Sequence, residues 1–207
     1  VAATSTAASS KGWKATMGLS GLLSASGVYV VDPSAGMVFD RTDVAWAHVP
    51  LSKLKRDTVY ALAPDRSHPG ALRATADRSA SSYAVMLKPT SAASTTLSWS
   101  WKTDALVEGA DNRDKSREDA PLRVMVAFDG DIATLPQAEQ KRLQRARKIS
   151  GRKVPYALLM YIWTDQVPPG TVIPSAHTSQ VKMIVAASGR EGLGQWQSVT
   201  RSLADDY

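Results

Sequence analysis

The amino-acid sequence predicts a mainly β protein: a jelly-roll-like antiparallel β-sandwich with one inserted basic α-helix at about residues 135–149. Three observations carry this expectation. From residue 44 onward apolar and polar residues alternate with a period of two, the mark of half-buried strands. Turn-forming clusters separate the alternating segments at roughly regular intervals: PDRSHPG at 64–70, KPTSAAS at 88–94, DG at 129–130 and PPG at 168–170. Many short strands so spaced point to a sandwich or jelly roll. Finally, the run YALLMYIW at 156–163 is apolar on both faces, which calls for a strand buried on both sides and therefore central.

Taken in order, the chain begins with ten small and polar residues, VAATSTAASS, without Met, as a processed end does. Met17 to Val31 is apolar but broken by Gly and Ser, and it is shorter than the roughly 20 residues that span a bilayer. It reads as a strand or extended arm on the domain, or as an insertion into a partner's groove or sheet edge. Residues 1–40 are therefore set apart as an N-terminal arm and 41–207 as the sandwich domain. Val44, Trp46 and His48 then alternate with Ala45, Ala47 and Val49, and Thr58–Ala63, Ala71–Ala76, Ser82–Leu87 and Thr95–Trp101 continue the strand series. Leu122–Phe128 puts Val124, Val126 and Phe128 on one face and Arg123, Met125 and Ala127 on the other.

The helix follows. Thr134 and Gln137 have capping-box spacing, Pro136 sits where a first-turn proline is tolerated, and Leu135, Ala138, Leu143, Ala146 and Ile149 form an approximate apolar stripe. Gly151 ends it. The strands Tyr156–Trp163, Val181–Ala187 and Gln195–Thr200 complete the series, and no repeat of 20 to 50 residues is present.

The 207 residues suffice for one core, burying about 70% of the extended-chain surface. With 43% hydrophobic and 21% charged residues, neither wholesale disorder nor a membrane protein fits. No cysteine means no disulfide, thiolate nucleophile, iron–sulfur cluster or zinc ribbon. His48, His68 and His177 lie far apart without HExxH spacing, so no metal is expected, and the absence of a phosphate loop or dinucleotide fingerprint leaves no cofactor to expect. GLSGL at 18–22 lacks the GxSxG spacing of a nucleophile elbow.

The net charge of +6 is local. Lys141, Arg142, Arg145, Arg147, Lys148, Arg152 and Lys153 supply seven positive charges within 140–153 and no negative one, while the rest of the chain carries 18 positive and 19 negative side chains. The run reads either as a solvated helix face or as a patch for an anionic partner: an acidic polysaccharide, a lipid headgroup or an acidic protein surface. Nucleic acid is disfavoured, because no recognition motif and no interleaved aromatic residue accompanies the patch.

The densest polar stretch, DNRDKSREDAPLR at 111–123, runs straight into a strand. Alternation places Arg123 beside Met125, so its guanidinium is expected partly buried and paired with Asp119 or Glu118. Such a pair either pins the loop to the sheet or offers a ligand-binding arginine. Carboxylates for glycoside hydrolysis would come from Asp119, Asp129, Asp131 or Asp165. Asp129-Gly-Asp131 reads first as a turn and second as a calcium loop. Trp99 and Trp101 share one strand face; they are either core residues or an exposed platform for sugar rings, whereas Trp46, Trp163 and Trp196 are expected in the core.

These residues, taken together, resemble the bacterial family called domain of unknown function 3047. The elements in its order are Trp46 and Thr58-Val-Tyr60; Leu97-Ser-Trp99-Ser-Trp101; Arg117-Glu-Asp-Ala-Pro-Leu-Arg123 into Val-Met-Val-Ala-Phe-Asp-Gly-Asp131; Pro155 to Trp163; Thr178 to Val185 with Ser188-Gly189; and Leu193-Gly-Gln-Trp196 with Arg201. The resemblance runs from about residue 42 to 207, with Glu118 and Ser202 where the family tends to have Asp. The family pattern normally runs past a point like Asp206-Tyr207 into a further strand, without which a sheet edge would stay open. The resemblance implies an exported, periplasmic or extracellular sandwich, similar to carbohydrate-binding modules, and brings no established activity. The expected function is a non-catalytic binding domain for a carbohydrate or envelope polymer, using Trp99, Trp101, Asp119 and Arg123. The alternatives are an accessory subunit of an envelope assembly, held by its arm and basic helix with peripheral membrane contact but no transmembrane segment, and a glycoside hydrolase or lyase.

Overall fold

The computed structural model describes residues 16–20, 27–32, 46–51, 55–64, 66–86, 96–151 and 154–207. In chain order the strands are β1 (Thr16–Ser20), β2 (Gly27–Asp32), β3 (Trp46–Pro50), β4 (Val59–Leu62), β5 (Leu72–Ala76) and β6 (Ser81–Met86), then β7 (Thr96–Thr103), β8 (Arg123–Phe128), β9 (Ala157–Thr164), β10 (Val172–Pro174), β11 (Val181–Ser188) and β12 (Gln197–Ser202). Helix α1 (Gln137–Ser150) lies between β8 and β9, and the short α2 (Leu203–Asp206) follows β12. One sheet has the order β10-β11-β9-β8-β1-β6-β3 and the other β12-β7-β2-β5-β4. They form a β-sandwich; neither closes into a barrel. All nine strands that the alternation predicts from residue 44 onward are present, with ends displaced by at most two residues.

The two sheets meet because one face of each strand is apolar. Leu72, Ala74, Leu97, Trp99 and Trp101 from the five-stranded sheet interdigitate with Val124, Val126, Phe128, Leu159, Tyr161 and Trp163 from the seven-stranded one. Aromatic rings bridge the layers: Trp99 lies 5.1 Å from Tyr161 and Trp101 5.9 Å from Trp163, centroid to centroid. On the reverse face of β7, Ser98 and Ser100 meet Thr200 and Ser198 of β12 in a hydroxyl ladder at 3.0 and 2.9 Å.

Strand β9 is buried on both sides, as its sequence demands. Leu159, Tyr161 and Trp163 enter the inter-sheet core, while Met160 and Ile162 join a second cluster with Ala120, Ile173, Met183 and Val185 on the opposite face. Its pairing departs from the antiparallel expectation: β9 runs parallel to β11, because the chain passes outward to β10 before returning between them.

The N-terminal boundary also needs correction. The segment assigned to a separate arm supplies β1, which lies between β8 and β6, and β2, which lies between β7 and β5. Each is an interior strand of its sheet, so the sandwich begins before residue 41.

Helix α1 starts two residues later than expected and without the capping box. Pro136 occupies the cap position with no side-chain bond, and the Thr134 hydroxyl instead donates to the Asp131 carbonyl at 2.7 Å. Gln140 takes over, its amide donating to the Leu135 and Ala133 carbonyls. Gly151 ends the helix as expected, in the left-handed conformation at φ 66°. Asp129 and Asp131 both serve turns, accepting from the Gly130 and Ala133 amides. Gly130 is obligatory for another reason: a Cβ there would lie 2.6 Å from the Tyr156 ring.

Candidate functional site

The polar stretch at 111–123 folds into a loop that fastens itself. Asp111 accepts from the Arg113 side chain and backbone amide, and Asp114 accepts from Ser116 and Arg117. Three backbone bonds, Asp114 to Asp111, Arg117 to Asp114 and Asp111 to Arg117, close successive turns. The hydrogen bonds from Arg113 hold the Asp111 carboxyl down at about 2. Those from Ser116 and Arg117 do the same for Asp114, also to about 2.

Beneath this loop lies Arg123. Its position on β8 aims it away from the inter-sheet core, beside Met125, and the loop covers it: its side chain is 0% exposed. Nη1 donates to Glu118 Oε1 at 3.4 Å and to the Met160 sulfur at 3.0 Å, and Nη2 stands 4.0 Å from Asp119 Oδ1. Burial pulls the guanidinium down from its ordinary value, and Asp119 and Glu118 oppose that pull. Nε and Nη2 make no hydrogen bond among the described residues. Glu118 is reached from its other side by His177, with Nε2 3.8 Å from Oε2. The expected pairing of Arg123 with Asp119 and Glu118 is therefore formed, and it ties the loop to the sheet.

Two clefts flank the loop. One, of about 270 Å³, lies between it and the end of β9, with Leu106, Val107, Pro121 and Val167 as apolar wall and Asp111, Asn112, Arg113, Asp165 and Gln166 as polar wall. The other, of about 390 Å³, is bounded by Glu108, Lys115, Glu118 and His177. Asp119 and Arg117 line both. Asn112 is 4% exposed, and its Nδ2 has no hydrogen-bond partner among the described residues. Asp165 is gripped by Arg190 through contacts of 2.9 to 3.2 Å, which hold its carboxyl below the usual range.

The four ligand-binding residues expected from sequence separate into two places. Asp119 reaches the clefts and Arg123 positions it from behind. Trp99 and Trp101 do not join them: at 1% and 0% exposure they fill the inter-sheet core, and no sugar platform exists at these indoles. Trp163 is likewise core, but Trp196 is only half-buried, stacked on His68 at 3.7 Å with Lys102 Nζ 5.3 Å from its ring centroid. Asp119 and Asp165 share the first cleft, whereas Asp129 and Asp131 lie in the turn after β8. Asn112 and His177 were missed. Nothing in the sequence distinguishes Asn112 from its polar neighbours, and His177 reaches Glu118 only through the β10–β11 connection.

Lys141, Arg142, Arg145, Arg147 and Lys148 are all exposed along α1; Arg152 and Lys153 lie outside the described residues. Among the described residues no group of three His, Asp or Glu side chains is arranged to hold a metal, and no helix is long and apolar enough to cross a membrane.

The family model described as protein of unknown function DUF3047 matches residues 44–207. The chain belongs to this family. No curated protein and no solved structure matches it. The DUF3047 match spans the Arg123 loop and both clefts but begins after β1 and β2, which complete the two sheets.

Proposed function

We propose that this DUF3047 protein is a non-catalytic binding domain, and that its ligand, a segment of carbohydrate or a similar hydroxyl-rich envelope polymer, lies in the clefts beside the 106–121 loop. The observation that carries this reading is Asn112, whose buried amide is held at the cleft wall with donor capacity unused. A buried amide without a partner costs about 1–3 kcal/mol, a cost that a ligand hydroxyl accepting from it would remove. Around it stand side chains suited to hydroxyls: Asp111, Asp119, Asp165, Gln166 and Arg113, with Leu106, Val107, Pro121 and Val167 for the apolar faces of a ring. The apolar contact thus passes from the indoles to aliphatic side chains.

Hydrolysis is less well supported. A general acid must keep its proton near neutral pH, yet Asp111 and Asp165 are held ionised by their arginines. Export, which the family resemblance implies, belongs to the same proposal and is tested by fractionation of the native host.

The deciding experiment screens the protein against immobilised glycans and envelope polymers and repeats any positive with Asn112→Ala. The variant is expected to lose at least tenfold in affinity while its melting temperature stays level or rises, since the truncation removes an unsatisfied amide. Failure of every polymer to bind, or unaltered affinity in the variant, would overturn the proposal.

A further inference from the structure

Four of the five described basic residues of α1 share one face with an apolar residue inside it, while Arg147 projects on the other side, near Leu143. At 100° per residue, Lys141, Arg145 and Lys148 form one stripe and Arg142 flanks it; Ile149 projects between Arg142 and Arg145. All five are exposed, and Ile149 is 84% exposed. The helix attaches to the body from its other side through Leu143, which is buried. The one acidic residue of the helix, Glu139, is already engaged, accepting from Thr178 at 2.9 Å with Arg142 at 3.6 Å.

Neither feature is explained by the fold. Lys141 with Arg145, Arg142 with Arg145 and Arg145 with Lys148 are like-charge neighbours at i,i+4 or i,i+3, which weaken a helix. A solvated face needs no exposed isoleucine amid such charges. A helix lying on an anionic bilayer uses both, with cations at the headgroup level and an apolar side chain reaching the acyl boundary. Because the rest of the chain carries 18 positive and 19 negative side chains, the net positive charge comes from this run, which would steer the helix toward a negative surface.

We propose that α1 is a docking face for an anionic lipid surface. It is independent of the cleft and its ligand. A soluble acidic polymer would meet the cations as well, but it offers no apolar layer for Ile149; this is why the lipid is favoured.

The test is flotation of the full chain with vesicles of phosphatidylcholine alone and of phosphatidylcholine with phosphatidylglycerol, at low and high salt. Binding is expected only to the anionic vesicles and is expected to weaken with salt. Arg145→Gln with Lys148→Gln should lower the partition coefficient roughly 25-fold, about fivefold per charge. Ile149→Ser should lower it about tenfold. These side chains are exposed, so melting temperatures should not fall. As a readout independent of substitution, amide exchange in α1 should slow when anionic vesicles are added. Absence of flotation, equal binding to neutral vesicles, or wild-type partition of Ile149→Ser would each overturn the proposal; the last, with displacement by heparin, would identify a general polyanion site.

Discussion

Replacing Arg123 by Met tests how the loop beside the clefts is held. The substitution keeps a long apolar stem but removes the charge that faces Glu118 and Asp119, whose side chains are only 9% and 7% exposed. Breaking a buried ion pair by deleting one partner costs about 3–5 kcal/mol, because the other charge stays behind. An unfolding entropy of about 2.1 cal/mol/K per residue amounts to roughly 0.4 kcal/mol per kelvin for a chain of this length, so the melting temperature should fall by about 7–12 °C near pH 7. Arg123→Lys keeps the charge but loses the fork geometry that spans Glu118, Met160 and Asp119, and should lie between the two. The combined variant Arg123→Met, Glu118→Gln, Asp119→Asn should recover much of the loss, since neutral side chains remain. Calorimetry near pH 7 measures all four proteins. No recovery in the combined variant would show that Arg123 acts through packing and refute the charge argument.

Two other consequences are equally direct. A chain starting at residue 44, where the family match begins, lacks β1 and β2 and exposes the flanks of β8, β6, β7 and β5; it should be insoluble or melt without cooperativity, and a sharp melting transition would contradict the interior placement of these strands. At the other end, burial pushes the Asp206 carboxyl up, but hydrogen bonds from Arg201 and Tyr161 outweigh it and hold the group below its ordinary value. Its contribution is therefore present above the usual carboxylate pKa and lost as pH falls through the lower folded value. Tyr161→Phe removes the 2.8 Å bond to Asp206, should cost about 1.5–3 kcal/mol or roughly 4–7 °C, and should move the onset of acid unfolding to higher pH. An unchanged acid transition would deny the bond this role.

What the sequence made legible was local. Alternation located nine of the ten described strands from residue 44 onward, all but the three-residue β10, because side-chain direction in a strand depends only on the neighbouring residues. It put Arg123 on the face of Met125 and required a carboxylate for it, and Glu118 and Asp119 met that requirement. The interior place of β1 escaped: TMGLS carries a glycine and a serine in five residues and is open to reading as an arm, and its position depends on the partners β8 and β6, far along the chain. The parallel pairing of β9 and β11 escaped for the same reason: pairing sense is a property of the connection, and β10 has only three residues.

Trp99 and Trp101 show where such reasoning stops. A period of two establishes that the indoles share a face and that Ser98 and Ser100 share the other, but it does not say which face meets the second sheet. That choice depends on partners distant in sequence. Tyr161 and Trp163 of β9 receive the indoles, and Ser198 and Thr200 of β12 receive the hydroxyls, so the large apolar rings are buried and the small polar groups are satisfied at the sheet surface. With Trp99 and Trp101 committed to holding the layers together, the binding role proposed for this chain rests on the polar loop that Arg123 fastens to the outer face, not on the indoles.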